Sequence, residues 1–154
     1  MRNVFATAML GAACLGAVLA TTGTASAAPT ASGSPVSCAE VILVDSFAFQ
    51  PAQVLPGQSS TATLTATNCT GASQTVTETW YGRFLGPSTG IPAGCVAIDP
   101  FERSVEFAAH TEVSTATGYL VPTGCTATEL AVTVTITGQD GTVLAQPTAY
   151  LAIG

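Results

Sequence analysis

From Ser59 to Asn68 the chain alternates with a period of two. Thr61, Thr63, Thr65 and Thr67 fall on one side, and Ala62, Leu64 and Ala66 on the other. Successive side chains of a strand point to opposite faces, so this pattern predicts a half-buried antiparallel strand. Leu130, Val132, Val134 and Ile136 alternate with Ala131, Thr133 and Thr135 in the same way. Residues 41–44, 74–81, 104–107 and 112–119 read as further β-branched strands, and Gly138-Gln139-Asp140-Gly141 closes a hairpin into a last one at 142–153. Proline and glycine supply the punctuation, with Gln50-Pro51 and Pro56-Gly57 around one turn and Val121-Pro122-Thr123-Gly124 at another. No helical amphipathic stretch and no internal repeat interrupts the series. About seven strands at this spacing predict an all-β chain, an immunoglobulin-like antiparallel β-sandwich with Greek-key connections.

The first 27 residues read differently. Arg2, a small-residue apolar run from Val4 to Ala20, and Ala25-Ser26-Ala27 have the layout of a secretory signal peptide, with cleavage after Ala28 as the alternative. A membrane span needs about 20 strongly apolar residues, and this run is short and alanine-rich. Lipoprotein processing at Cys14 is disfavoured, because Gly11-Ala12-Ala13 lacks a large aliphatic residue and the apolar Leu15 to Ala20 would stay on the mature chain. Residues 28–37 are a Pro, Ser, Gly and Ala tether, and 38–154 form the domain. The expected location is extracellular.

Export changes the meaning of the cysteines. Without Cys14 there remain Cys38, Cys69, Cys95 and Cys125, an even number in an oxidising compartment, hence two disulfides with three possible connectivities. No short Cys-x-x-Cys pair favours zinc, and no metal or cofactor is expected. Topology selects among the pairings. Cys38 opens the first strand and Cys69 closes its antiparallel neighbour, while Cys95 and Cys125 fall in connections at the opposite end of the sandwich. Cys38–Cys69 and Cys95–Cys125 are therefore expected.

Charge is scarce: three Lys or Arg and nine Asp or Glu in 154 residues, 8% charged, against about 25% in an ordinary globular domain. All three cations are Arg, so the mature chain sets two Arg against nine acids for a net charge of −7. Nucleic-acid binding requires clustered Lys or Arg and is excluded, as are a polybasic membrane patch and Schiff-base chemistry. Threonine takes over the solvating role on the outer strand faces. The mature chain is expected to be a monomer, not inserted in a membrane.

Phe49-Gln50-Pro51, then Val54-Leu55-Pro56-Gly57-Gln58-Ser59, then Leu64 and Asn68, resemble the opening of bacterial extracellular immunoglobulin-like modules of the CARDB (cell-adhesion-related) type. The Gly141-Thr142-Val143-Leu144 hairpin is similar to the last strand pair of that group. The resemblance implies the fold, and through it a role in adhesion or binding; the four cysteines and the absence of tandem copies depart from it.

Catalysis lacks its parts. No Gly-x-Ser-x-Gly elbow occurs, and His110 beside Glu112 is a lone imidazole in a strand connection, read as solvated. Glu78 shares a face with Val76 and Trp80, so an inward Trp80 would bury it and require Arg83 or Arg103 as partner. The preferred expectation is an exposed Glu78 on a twisted or edge strand. The nineteen residues 82–100 form a long Gly/Pro loop entered through Trp80, Tyr81, Arg83, Phe84 and Leu85, residue types enriched where partners bind. Arg103 lies just beyond its far end. Trp80, Tyr81, Arg83, Phe84 and Arg103 are thus the candidate binding residues; the competing view folds Phe84, Leu85 and Ile91 over the open end, stapled by Cys95. Asn68-Cys69-Thr70 matches a glycosylation acceptor but is discounted in a bacterial-looking chain with Cys69 oxidised. The expected function is that of a secreted, non-enzymatic binding or structural module acting on an unknown protein or cell-surface component. A small secreted enzyme inhibitor, thinly similar to the tendamistat type of amylase inhibitor, and a carbohydrate-binding module are the alternatives.

Overall fold

A computed structural model describes residues 38–87 and 89–154; the predicted leader and tether lie outside the described residues. Nine strands are present: β1 (Ile42–Gln50), β2 (Gln53–Val54), β3 (Ser59–Asn68), β4 (Gln74–Leu85), β5 (Phe101–Phe107), β6 (Glu112–Leu120), β7 (Glu129–Gly138), β8 (Val143–Ala145) and β9 (Thr148–Ile153). They form an immunoglobulin-like sandwich of two sheets, one ordered β1-β3-β6 and the other β2-β9-β7-β4-β5, with β8 also on β7. Except for the short parallel contact of β2 with β9, every pairing is antiparallel.

The two-residue β2 and the start of β5 at Phe101 were not expected; three further differences from the sequence expectation each have a local reason. The first strand runs on to Gln50 instead of ending at Val44. Its inward positions are Ile42 and Val44, then Phe47 and Phe49, so the alternation jumps by one residue. A bulge between Val44 and Ser46 absorbs the jump, keeping Phe47 opposite Leu64 and Phe49 opposite Ala62. Asp45, the extra residue, accepts a hydrogen bond from Thr67 Oγ1 at 2.7 Å. The third predicted strand continues past Tyr81 to Leu85, through Gly82, which the sequence marks as a loop start. The expected final strand is split at Gln146-Pro147, since proline has no N–H for the ladder; Pro147 instead accepts from Val134 N at 3.0 Å.

The inward faces close a single core containing Ile42, Leu64, Trp80, Phe107, Leu130, Ile136 and Leu151. Threonines dominate the outward rows of β3, of β4 as far as Thr79 and of β7 from Thr133, as the alternation requires. Both expected disulfides are present, Cys38–Cys69 and Cys95–Cys125. Register explains the pairing: β1 and β3 lie antiparallel with Ile42 opposite Asn68, which puts the residues just outside them together. β6 begins opposite Thr67 and ends opposite Ser59, so Cys125, beyond its end, lies at the other end of the sandwich from Cys69.

Candidate functional site

Glu78 is 1% exposed, which corrects the expectation that it would face solvent. It points inward with Trp80, and the second sheet's edge supplies the partner. Arg103 Nε on β5, directly opposite Glu78 in the β4–β5 register, donates to Glu78 Oε2 at 2.8 Å. Trp80 Nε1 donates to the same oxygen at 2.9 Å. Thr115 Oγ1, from β6 in the other sheet, donates to both carboxylate oxygens at 3.0 and 2.9 Å. Arg103 then crosses the seam itself, with Nη1 donating to the Ala116 carbonyl at 3.1 Å. Its guanidinium lies 4.4 Å from the Trp80 ring centroid, a cation–π contact. Phe47 meets Trp80 edge-on at 5.5 Å and Phe101 stacks on it at 6.1 Å. A buried carboxylate is tolerated only when its lone pairs are met, and here three side-chain donors meet them. The network ties the edge of one sheet to the edge of the other. Nearby, Tyr119 is buried and its hydroxyl pKa is pushed up to about 12 by desolvation, with the Arg103 charge opposing the rise.

Beyond Trp80 the two neighbours of β4 part company. Pairing with β5 stops at Trp80 opposite Phe101, while pairing with β7 continues to Leu85 opposite Glu129. The departing loop leaves a groove of about 350 Å³, walled by Tyr81–Phe84 on one side and by Gly90, Ile91 and residues 96–100 on the other. Five contacts fix the loop. Ile98 packs on Gly82, where a Cβ would lie 2.9 Å from its Cδ1, and Pro92 packs on Gly86. Gly94, at φ +71°, lies against the Gly124 carbonyl, an approach and a conformation that suit only glycine. The Cys95–Cys125 bond and the Thr126 N donation to Ala93 O at 2.9 Å complete the attachment. So held, the loop buries Pro92 and partly buries Ile98, yet leaves Ile91 62% and Val96 57% exposed beside Tyr81 at 47%.

The five candidate binding residues are therefore divided. Tyr81 and Arg83 face out along the groove. Trp80 and Phe84 alternate inward and are buried, so neither side chain meets solvent. Arg103 is turned to Glu78, leaving Arg83 as the cation without an acidic partner among the described residues. Phe84 and Cys95 do fold toward the core as the capping view expects, but Leu85 alternates to the outer side of β4 and Ile91 is exposed. Ile91, Val96, Ile98 and Pro100 escaped notice because a Gly/Pro-rich stretch has no periodicity to reveal which side chains a fold leaves out. Tyr150 was missed also; β7 places it across Ala131 from Arg83, on the same outer face as Tyr81, 57% exposed. His110 is exposed in the β5–β6 connection at φ 54°. Asn68 is wholly buried, its amide donating to Ala72, Phe107 and Ala108 carbonyls and its oxygen accepting from Thr70, which leaves no free nitrogen for a glycan. No group of three metal-ligating side chains occurs among the described residues.

The fold and groove define an immunoglobulin-like β-sandwich module with a walled end loop. No family's sequence profile matches the chain, and no curated protein is similar to it in sequence. Solved structures share the fold at low identity. An alkylpurine DNA glycosylase of Pseudomonas fluorescens aligns over 75% of this chain and 31% of its own, with 13% identity and a TM-score of 0.53. A cycloisomaltooligosaccharide glucanotransferase of Paenibacillus aligns over 73% and 14%, with 13% identity and a TM-score of 0.52. The chain thus spans about a third or less of these proteins. A CARDB domain from Pyrococcus furiosus aligns over 73% of this chain and 87% of its own, at 12% identity and a TM-score of 0.49. At such identities the likeness is one of fold.

Proposed function

We propose that the chain is an exported, non-enzymatic binding module that recognises a protein or cell-surface partner through the groove between β4 and the loop at residues 86–100. One observation carries this reading: a loop fixed by five contacts nevertheless holds Ile91 and Val96 in solvent beside Tyr81 of β4, around a preformed groove. Clustered exposed apolar side chains with a polar rim mark interaction surfaces, and a surface ordered in advance spares the entropy of ordering it on binding. Two disulfides suit an oxidising compartment. A flat sugar-stacking platform would draw on Trp80 and Tyr81, and with Trp80 buried only Tyr81 of that pair is exposed, which favours the protein-binding reading over a carbohydrate-binding one.

The test is capture from cell-envelope and culture-medium fractions by the exported protein, compared with Tyr81→Ala/Ile91→Ser. The reading expects specific partners to be lost or depleted at least tenfold with the variant, at unchanged thermal stability. Equal capture by both proteins contradicts it.

A further inference from the structure

The groove lies where the β-sheet loses a strand. Along Tyr81–Phe84, β4 has β7 on one side and, past the end of β5, no strand on the other. Among the described residues, the loop's backbone hydrogen bonds go within itself and to residues 124–128 and none reaches Tyr81–Phe84. An antiparallel strand leaves alternate N–H and C=O groups directed to each side, so this stretch presents a ladder segment to the groove. The groove's walls are apolar, and its only charges are Arg83 and Asp99. Charge sorts the occupants. Of the nine acids, all but Glu78 lie outside the core, and Arg103 is already paired, so Arg83 is the single unpaired guanidinium among the described residues, on an otherwise acidic surface. A run of carboxylates would be repelled by Asp99 and by Glu102 just beyond it, whereas one carboxylate at Arg83 gains a charge-assisted contact.

Building on the reading above, the geometry points to a strand-addition site: an extended apolar peptide segment bearing one carboxylate docks along Tyr81–Phe84 in the line continuing β5. Its backbone pairs with β4, its apolar side chains cover Ile91 and Val96, and Arg83 receives the carboxylate. Main-chain pairing would supply affinity, while pockets for alternate side chains supply selectivity.

The experiment uses the oxidised, exported protein as bait for a random heptapeptide library displayed on phage. Enriched sequences are expected to alternate apolar residues and to carry one Asp or Glu. A synthetic copy of the top sequence should bind at least tenfold more weakly to Arg83→Gln, and to wild type when its acid is replaced by the amide. N-methylation of alternate peptide nitrogens should abolish binding on one phase and spare it on the other. The inference is overturned by enrichment no greater than with Ile91→Ser/Val96→Ser bait, by enrichment of acid-free or basic sequences, by affinity indifferent to Arg83→Gln, or by indifference to N-methylation on both phases. A groove that captures a folded partner yet selects no peptide would remove strand addition and leave the binding module standing, and a concentration-dependent dimer that Ile91→Ser abolishes would assign the groove to a second copy instead.

Discussion

Glu78 carries the largest single commitment at the residue scale, because its burial is tolerable only while Arg103, Trp80 and Thr115 all hold it. Glu78→Gln keeps the volume but leaves Arg103 without its charge partner, and should cost about 2–4 kcal/mol, below the upper end for buried pairs because Arg103 retains contact with water. Thr115→Val should cost less, about 1–2 kcal/mol, since it deletes one hydrogen bond. Glu78→Leu/Arg103→Met should recover much of the Glu78→Gln loss, because two apolar groups leave no orphaned charge; urea unfolding of the three variants checks the order. Tyr119 gives a signature in pH. Its hydroxyl ionises at 10.0 when unfolded and about 12 when folded, so the folded state holds the proton longer. The stabilisation is complete below pH 10 and is lost as pH climbs toward 12. Tyr119→Phe should flatten that alkaline decline in the urea midpoint. The sequence already contained the alternatives for Glu78, since its parity with Trp80 is visible and only two Arg could serve it. What decides between them is the register placing Arg103 directly opposite, a fact of pairing two strands 25 residues apart.

Among the elements, those whose alternation is uninterrupted were legible to within a few residues: β3 coincides with its predicted span, and β6 and β7 differ only at their ends. The extension of β1 was hidden by the bulge at Asp45, which shifts the phase of the inward residues, and that of β4 by Gly82, whose turn propensity is overridden by Ile98 packing where a side chain would stand. The disulfides were legible for the same reason as β3, because antiparallel order alone brings the cysteine pairs together. In the loop at 86–100, tertiary anchors decide exposure, and they leave no local pattern in the sequence. The Cys95–Cys125 bond is one such anchor, closing 30 residues. Replacing both cysteines with serine should cost about 3–4 kcal/mol in the chain-entropy model. The loss should be accompanied by faster amide exchange at residues 90–98, while β3 and β6 remain protected. Uniform loss of protection across the domain would mean that the bond holds the whole fold and not the groove wall.

For the whole molecule, the scarcity of charge that first excluded partners also shapes how a partner is met. Threonine faces help keep the outer sides of the sheets wet, Arg103 is spent on joining the sheets, and the end groove combines the unpaired Arg83 with exposed apolar side chains. The fold itself was readable from alternation and turn chemistry; the groove was readable only as a long loop entered by aromatic residues and Arg. Its place at the end of β5 follows from where two strand pairings stop. The most direct test of recognition at this place is site-specific photocrosslinking. A benzophenone amino acid is placed at Ile91 or, as control, at the outward-facing Ser114 of the opposite sheet, and the disulfide-bonded protein is irradiated with cell-envelope fractions. The account expects a discrete higher-mass adduct from position 91 that is absent from position 114. Equal adducts from both positions, or an adduct from 114 alone, would contradict it.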